Sequence, residues 1–452
     1  MFPLNILTDF LRIPSVSTDP VFQPDCLRAA NFLSDLLTSL GFSSQLLPGK
    51  VNPTIFAQLT NHQSPITVLI YGHYDVQPAG APSAWTTPPF EPNIRKNRIY
   101  ARGATDNKGQ LIIHIMAIKE LIEKFGLDNL PINIKFVIEG EEEIGSPSIT
   151  EQLAKYKDLF ATDYVILSDT EMLGLGKPTL DITLRGVMDL EVSIQTGSHD
   201  VHSGQFGGLA PNPAFILAHL LTRIKNGRGR ILIPGFYKDV LPPTAKELDD
   251  LRRFAPDSKD ILKEGHLYYL GGGESNLPLN RRRWYEPTLD ITGLDSGYTS
   301  QGTKTIIPHL AEAKLSMRLV PNQNPQAIYS NLITFFQKHI SKNAVFSITN
   351  SGAVMPWRAS IKHPVYKLAS DCLKTVYGRP AIFVGQGGSI GFVPAITQAL
   401  EVPVVLIGFG LPDENLHAPN EHFSLENFYK GIQVMTRFYS RLSDLKSTKV
   451  IK

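Results

Sequence analysis

Several histidines and carboxylates in this chain stand where short apolar runs end. His73-Tyr74-Asp75, the acidic stretch Glu139-Gly140-Glu141-Glu142-Glu143, Asp169 and His417 each follow such a run. Asp106 sits in the turn Arg102-Gly103-Ala104-Thr105-Asp106-Asn107-Lys108-Gly109. Each has an ordinary explanation by itself: a packing pair, a solvated face, a helix cap, a hydrogen-bonded loop histidine. Brought together they are another matter, because the acids would repel one another unless cations neutralised them. Two histidines and three carboxylates suit a pair of Zn2+ ions, and Mn2+ also accepts nitrogen and oxygen ligands. A carboxylate left over beside a ligand then has work to do. Water activated by a metal needs a general base, and Glu142 next to Glu143 is so placed.

The elements that must position these groups are legible in the apolar pattern. Ile66–Tyr71 reads as a buried strand, followed by an apolar helix over about 109–125 and strands over 132–138 and 164–167. Strand, helix, strand in that order predicts an α/β fold with a mostly parallel, mixed sheet flanked by helices. In such sheets ligands collect beyond the carboxyl ends of the strands, where the residues above fall. Near Arg185 the texture changes. Residues 189–195 and 313–319 alternate like half-exposed strands, with helices expected over 213–223 and 327–339. From about Lys362 the α/β pattern returns, with a helix over 365–376 and a strand over 402–408. The expectation is a discontinuous catalytic domain, 1–184 plus 358–452, interrupted by a smaller α+β domain over 185–357.

Composition narrows the partners. A length of 452 residues favours two domains, and a net charge of +2 offers nothing to nucleic acid or an anionic membrane. The densest basic run, Arg281-Arg282-Arg283, reads as a solvated face. With only Cys26 and Cys372, no disulfide framework or cysteine-rich metal cage is available. The start MFPLNILTDFLRIPSVS lacks the basic opening and cleavage site of a secretory signal, and no apolar run is long enough to span a bilayer. The expectation is a cytoplasmic protein with no membrane or nucleic-acid partner.

The motifs together resemble a known family, the two-metal aminoacylases, carboxypeptidases and dipeptidases, and most of all its cytosolic nonspecific dipeptidase and carnosinase branch. The resemblance rests on YGHYDVQP from Tyr71, ARGATDNKG from Ala101, EGEEEIGS from Glu139 and SDT at Ser168. It continues through DVHSG from Asp200, GTKTIIP from Gly302, MRLVP from Met317, GGSI from Gly387 and LHAPNE from Leu416. It implies a catalytic domain of zinc-peptidase type with an inserted lid and dimerisation domain, a homodimer, and two divalent ions per subunit (zinc foremost, manganese or cobalt as alternatives). It further implies that His73 and Asp169 hold one ion, Glu143 and His417 the other, and that Asp106 bridges them through a residue followed by a cis peptide bond. Asp75 would orient the His73 ring, and Glu142 would be the general base. His202 would polarise the scissile carbonyl in the partner subunit's active site. Arg318 would grip the substrate's terminal carboxylate, with Thr305 and Ser389 adding hydrogen bonds.

Two departures bear on substrate. The family usually carries Glu before Gly-Gly-Ser, where this chain has Gln386, and its dipeptidases carry a histidine shortly before the Pro-Trp pair, which the stretch from Asn350 to Trp357 lacks. The functional expectation is a metallopeptidase acting on dipeptides or short peptides. An amidohydrolase removing an acyl group from N-acyl amino acids is the alternative that Gln386 keeps open. A non-catalytic binding protein on the same fold is the remote one, since it should have lost ligands or base.

Overall fold

Runs of β-branched and aromatic residues form the strands, which in chain order are β1 (Ser43–Leu47), β2 (Thr54–Leu59), β3 (Thr67–His73), β4 (Asn93–Arg95), β5 (Arg98–Tyr100), β6 (Asn133–Glu139), β7 (Tyr164–Leu167) and β8 (Thr179–Leu184). There follow β9 (Gly186–Gln195), β10 (Val201–His202), β11 (Thr288–Ser296), β12 (Ile306–Ile307), β13 (Leu310–Leu319), β14 (Val345–Val354) and β15 (Trp357–Arg358). Last come β16 (Ile382–Gln386), β17 (Val404–Leu406) and β18 (His422–Ser424). These come from a computed structural model that describes residues 2–61 and 64–445. The chain divides into two units. The first takes the described residues up to Ile182, Ala359–Val384 and those from Ile390 onward; the second takes Thr183–Arg358 with Gly385–Ser389.

The first unit is built on a sheet of order β1-β2-β6-β3-β7-β17-β8. Its centre is parallel, β3 pairing with β6 and β7, and β17 with β7. The outer pairings, β1 with β2, β2 with β6 and β17 with β8, are antiparallel. Both faces are covered, which is why β3 and β7 read as continuous apolar runs. Val68, Ile70 and Phe136 face a core shared with Leu111, Ile115, Phe428 and Met435 from the helices Lys108–Phe125 and Leu425–Arg441. On the opposite face, the Tyr71 ring stacks on Phe392 of the helix Phe392–Leu400 at 3.9 Å between centroids. The helix Lys108–Phe125 is buried through most of its length and stops at Gly126, whose φ of 75° lies in the left-handed region.

The second unit has a four-stranded antiparallel sheet of order β11-β13-β9-β14. Met188, Leu190, Val192 and Ile194 of β9 bury one face against the helices Pro213–Ile224 and Pro325–His339. Both helices start on an asparagine cap followed by proline, Asn212-Pro213 and Asn324-Pro325. The other face carries polar residues. Three further helices, Ala245–Arg253, Ser258–Glu264 and Leu279–Trp284, lie in a stretch where the apolar periodicity is too weak to reveal them. The grouping of Gly385–Ser389 with this unit, rather than with the residues that flank it, has a steric side. A Cβ on Gly385 would come within 2.6 Å of Thr183 Oγ1 and 2.7 Å of Trp284 Cβ. Among the described residues no helix is long and apolar enough to cross a membrane.

Candidate metal centre

The parallel register decides which residues meet. His73 lies opposite Glu139, and Tyr71 opposite Leu167, so the segments leaving β3, β6 and β7 emerge at one edge. The segment after β3 carries His73 and Asp75. The chain after β6 turns through a short 3-10 helix, Glu142–Ile144, and Asp169 follows β7. His417 lies on the loop after β17, and Asp106 precedes the buried helix, its peptide bond to Asn107 being cis. Close approach also requires Gly140, where a Cβ would sit 2.2 Å from the Tyr74 ring. That ring is fixed by its hydroxyl, which donates to the Pro53 carbonyl at 2.6 Å.

Asp106 divides its carboxylate between two histidines. Oδ1 is 3.1 Å from His73 Nε2, and Oδ2 is 2.8 Å from His417 Nε2. On the first side Asp169 Oδ1 lies 3.6 Å from His73 Nε2; on the second, Glu143 Oε2 lies 3.6 Å from His417 Nε2. Ligand atoms of His73, Asp106 and Glu143 fall within 4.8 Å of one another. The five residues thus form two groups that share the Asp106 carboxylate. His73 is fully buried, whereas the His417 side chain is 55% exposed.

The donors fit divalent cations. Nδ1 of His73 is 3.0 Å from the Asp75 carbonyl, which can only accept, so Nδ1 carries the ring proton. In the neutral ring Nε2 is then an unprotonated nitrogen, buried without a hydrogen-bond partner and facing two carboxylates. A lone pair aimed at two anions needs a positive charge between them. Burial pushes Glu143 up to about 8, with the Asp106 charge adding to it, and pushes Glu142 well above the usual carboxylate range. Burial opposes a charge on His73, yet Asp169 and Asp106 raise it well above an ordinary imidazole. His417 is raised to about 9 by its hydrogen bond to Asp106. The bare cluster therefore holds protons that metal ions would replace.

Asp75 meets the His73 ring twice, its carbonyl 3.0 Å and its carboxylate Oδ1 3.5 Å from Nδ1, and the carboxylate has further partners. Oδ2 accepts from the Ser17 hydroxyl at 2.6 Å and from the Glu143 backbone N–H at 3.0 Å; Oδ1 accepts from the Glu142 N–H at 3.3 Å. The carboxylate therefore sets the turn that presents Glu142 and Glu143. Asn107 links the other loops, its amide donating to Asp169 Oδ1 at 2.7 Å and to the Ser168 carbonyl at 2.6 Å.

Motif reading missed the largest support. Glu421, fully buried, accepts from the N–H groups of Gly103 (2.8 Å), Thr105 (2.9 Å) and Asp106 (3.1 Å), and from Arg102 Nη1 (2.8 Å). It is the last residue of the LHAPNE motif, so the loop bearing His417 also organises the loop bearing Asp106. A buried acid closing a catalytic motif was the available signal. Glu414 adds a second tie, accepting from the Thr105 hydroxyl and from the Leu411 and Ser424 N–H groups.

The remaining expected residues lie in the second unit, as two pairs. His202 and Thr305 are exposed and adjacent, joined by the β10–β12 ribbon and by Ser203 N–H donating to the Thr305 carbonyl at 3.0 Å. Nδ1 of His202 accepts from the Gly204 N–H at 3.0 Å. Arg318, on β13, donates through Nη1 to the Ser389 hydroxyl at 3.0 Å, and that hydroxyl donates to the Arg185 carbonyl at 2.5 Å.

Similarity to characterised proteins agrees with this geometry. The chain is 34% identical to the Cys-Gly metallodipeptidase dug1 of Schizosaccharomyces pombe, covering 97% of this chain and 95% of that protein. It is 31% identical to the Beta-Ala-His dipeptidase of Homo sapiens, over 98% of this chain and 90% of the relative. The fold superposes with a TM-score of 0.88 on the M20 family metallo-carboxypeptidase Sso-CP2 from Sulfolobus solfataricus, 32% identical, covering 98% of this chain and all 100% of that one. Residues 69–441 match the pattern of peptidase family M20/M25/M40. The chain belongs to that family, as a hydrolase of its dipeptidase and carnosinase branch.

Proposed function

We propose that this chain is a dipeptidase with two metal ions, zinc foremost, held by His73 and Asp169 on one side, Glu143 and His417 on the other, and Asp106 between. The observation that carries the reading is the division of the Asp106 carboxylate, Oδ1 toward His73 and Oδ2 toward His417. When bound, such ions polarise a carbonyl oxygen and acidify a water molecule. Glu142 accepts the proton of the attacking water and returns it to the departing amine. Its backbone is fixed by Asp75, and its half-buried carboxyl has a proton affinity raised above that of an ordinary carboxylate, the direction a general base requires. Arg318 and Ser389 hold the terminal carboxylate of the substrate, with Thr305 assisting. His202, supplied by a second copy of the chain, donates to the carbonyl oxygen as it gains charge.

The names of the relatives, acting on Cys-Gly and on Beta-Ala-His, support a dipeptide substrate. A homodimer formed through the second unit is part of the same reading, and exposed Ile291 and Leu294 on β11 support it. So is a cytoplasmic location, supported by the two buried free thiols, Cys26 and Cys372. The second reading, removal of an acyl group from N-acyl amino acids, is favoured by Gln386, which leaves no anion at that position for a free amino group. The test compares dipeptides with their N-acetylated forms, with zinc, manganese and cobalt in turn. Turnover of the free dipeptide alone supports the dipeptidase. Turnover of the acetylated form alone replaces it with the amidohydrolase.

A further inference from the structure

The second unit contains a cavity of about 440 Å³ lined by Arg185, Arg282, Arg283, Thr288 and Asp290 on its polar side and by Leu267 and Tyr269 among its apolar walls. Its volume is that of a small-molecule pocket. It lies against the sheet face that the two long helices leave open. Thr288 is the register partner of Arg318 across β11 and β13, so their side chains share that face, opposite to buried Leu289 and Met317. Arg185 is bound into the same corner. Its Nε donates to the Gly387 carbonyl at 3.0 Å, and its own carbonyl accepts from Ser389, the partner of Arg318.

The charges around this corner do not balance. Arg283 is paired with Glu264 at 2.6 Å, and Asp290 with Lys225 at 3.4 Å. Among the described residues no carboxylate comes within ion-pair distance of Arg185, Arg282 or Arg318; the partners of Arg185 and Arg318 are the neutral Gly387 carbonyl and Ser389 hydroxyl. Nε of Arg282 is buried without a hydrogen-bond partner. Burial, with Arg318 and Arg283 nearby, lowers Arg185 to about 10, an effect that Asp290 opposes without cancelling. Unpaired buried charge is expensive, and arginine is suited to a planar carboxylate. The terminal carboxylate of a substrate satisfies Arg318 alone. The loop Gly385–Ser389 carries no acid of its own to offset the excess.

We propose that this cavity is a subsite for a second carboxylate, so that the enzyme prefers dipeptides whose C-terminal residue is aspartate or glutamate, with Arg185 and Arg282 receiving the side chain. The inference rests on the dipeptidase reading and on Arg318 as the terminal clamp. It also revises the reading of Arg281-Arg282-Arg283 as a solvated face, since Nε of the middle residue is buried and the residue lines this cavity.

The test measures kcat/KM of the metal-loaded enzyme for Ala-Glu, Ala-Gln and Ala-Lys, and competitive inhibition by free glutamate and glutamine. The expected result is a preference for Ala-Glu over Ala-Gln of about tenfold or more, the scale of a charged hydrogen bond, and a matching difference between the two inhibitors. Arg282→Met should bring the Ala-Glu to Ala-Gln ratio close to one, and Arg282→Glu should turn the preference toward Ala-Lys, which a merely structural arginine would not do. A wild-type ratio near one overturns the subsite while leaving the dipeptidase intact. An unchanged ratio in both variants also overturns it. Failure to turn over any of the three dipeptides strikes the dipeptidase reading itself.

Discussion

Glu421 Oε1 accepts the backbone N–H of Asp106 at 3.1 Å across a sequence separation of 315 residues. With Gly103, Thr105 and Arg102 on the same carboxylate, this one side chain shapes the whole loop that delivers the shared acid. Glu421→Ala should leave Arg102 buried without its counter-charge and cost on the order of 3–5 kcal/mol. A melting temperature lower by many degrees, together with weakened zinc uptake in a chelator competition, is the expected outcome. A normal melting curve with normal metal affinity would reduce Glu421 to a bystander.

Glu142 and Glu143 should separate in their effects. Glu142→Gln keeps size and shape but cannot accept a proton, so kcat should fall by a factor of about 10^2–10^4 with metal content unchanged. Glu143→Gln should instead lower metal affinity. Steady-state kinetics and elemental analysis of the two proteins, side by side, check the assignment; near-normal kcat in Glu142→Gln would move the base elsewhere.

Metal uptake should release protons and strengthen as pH rises. Glu143, at about 8, and His417, at about 9, must lose protons to become ligands. The sign for stability of the metal-free protein is the reverse. Both groups have folded values above their unfolded ones, so the stabilisation they give is complete at low pH and is lost as pH climbs through about 8 to 9. Chelator-treated protein should therefore melt at lower temperature at pH 9 than at pH 7, and zinc should restore more stability at the higher pH. Equal zinc affinity at both pH values would count against the ligand set.

His202 should act across the dimer. His202→Ala should lower kcat about a hundredfold without loss of metal, the usual value of one donor to a developing oxyanion. Mixing His202→Ala chains with Glu142→Gln chains should then regenerate one competent site per heterodimer. Heterodimers that form yet stay inactive would confine His202 to its own chain.

Local pattern carried the strands and the residues at their ends. β3, β6 and β7 are short, apolar and bounded, so the rim on which His73, Glu143 and Asp169 stand could be drawn from the sequence. The support network could not. Ser17 to Asp75, Glu421 to the Asp106 loop and Asn107 to Asp169 join residues 58 to 319 positions apart, and no period or spacing encodes which distant donor a buried acid will find. Asp75 shows the limit well. Its place beside His73 was plain, but not that its carboxylate also receives the Ser17 hydroxyl and the Glu142-Glu143 turn. The helices from Ala245 to Trp284 escaped for another reason, being short and polar and held by caps such as the Thr244–Glu247 box rather than by an apolar stripe.

The discontinuity of the first unit has a consequence for the order in which the molecule comes into being. A ribosome delivers His73, Asp106, Glu143 and Asp169 early, then makes the whole inserted unit before β17, His417 and Glu421 appear. Chains fold from the amino end as they emerge, and pairings between remote segments must wait for both partners. Until the segment from β17 to Glu421 leaves the exit tunnel, the loop of Asp106 has no Glu421 and the proposed metal centre has no His417. On the proposed ligand set, a nascent chain would be inert toward peptides in its surroundings, and hydrolytic competence would wait for that later segment.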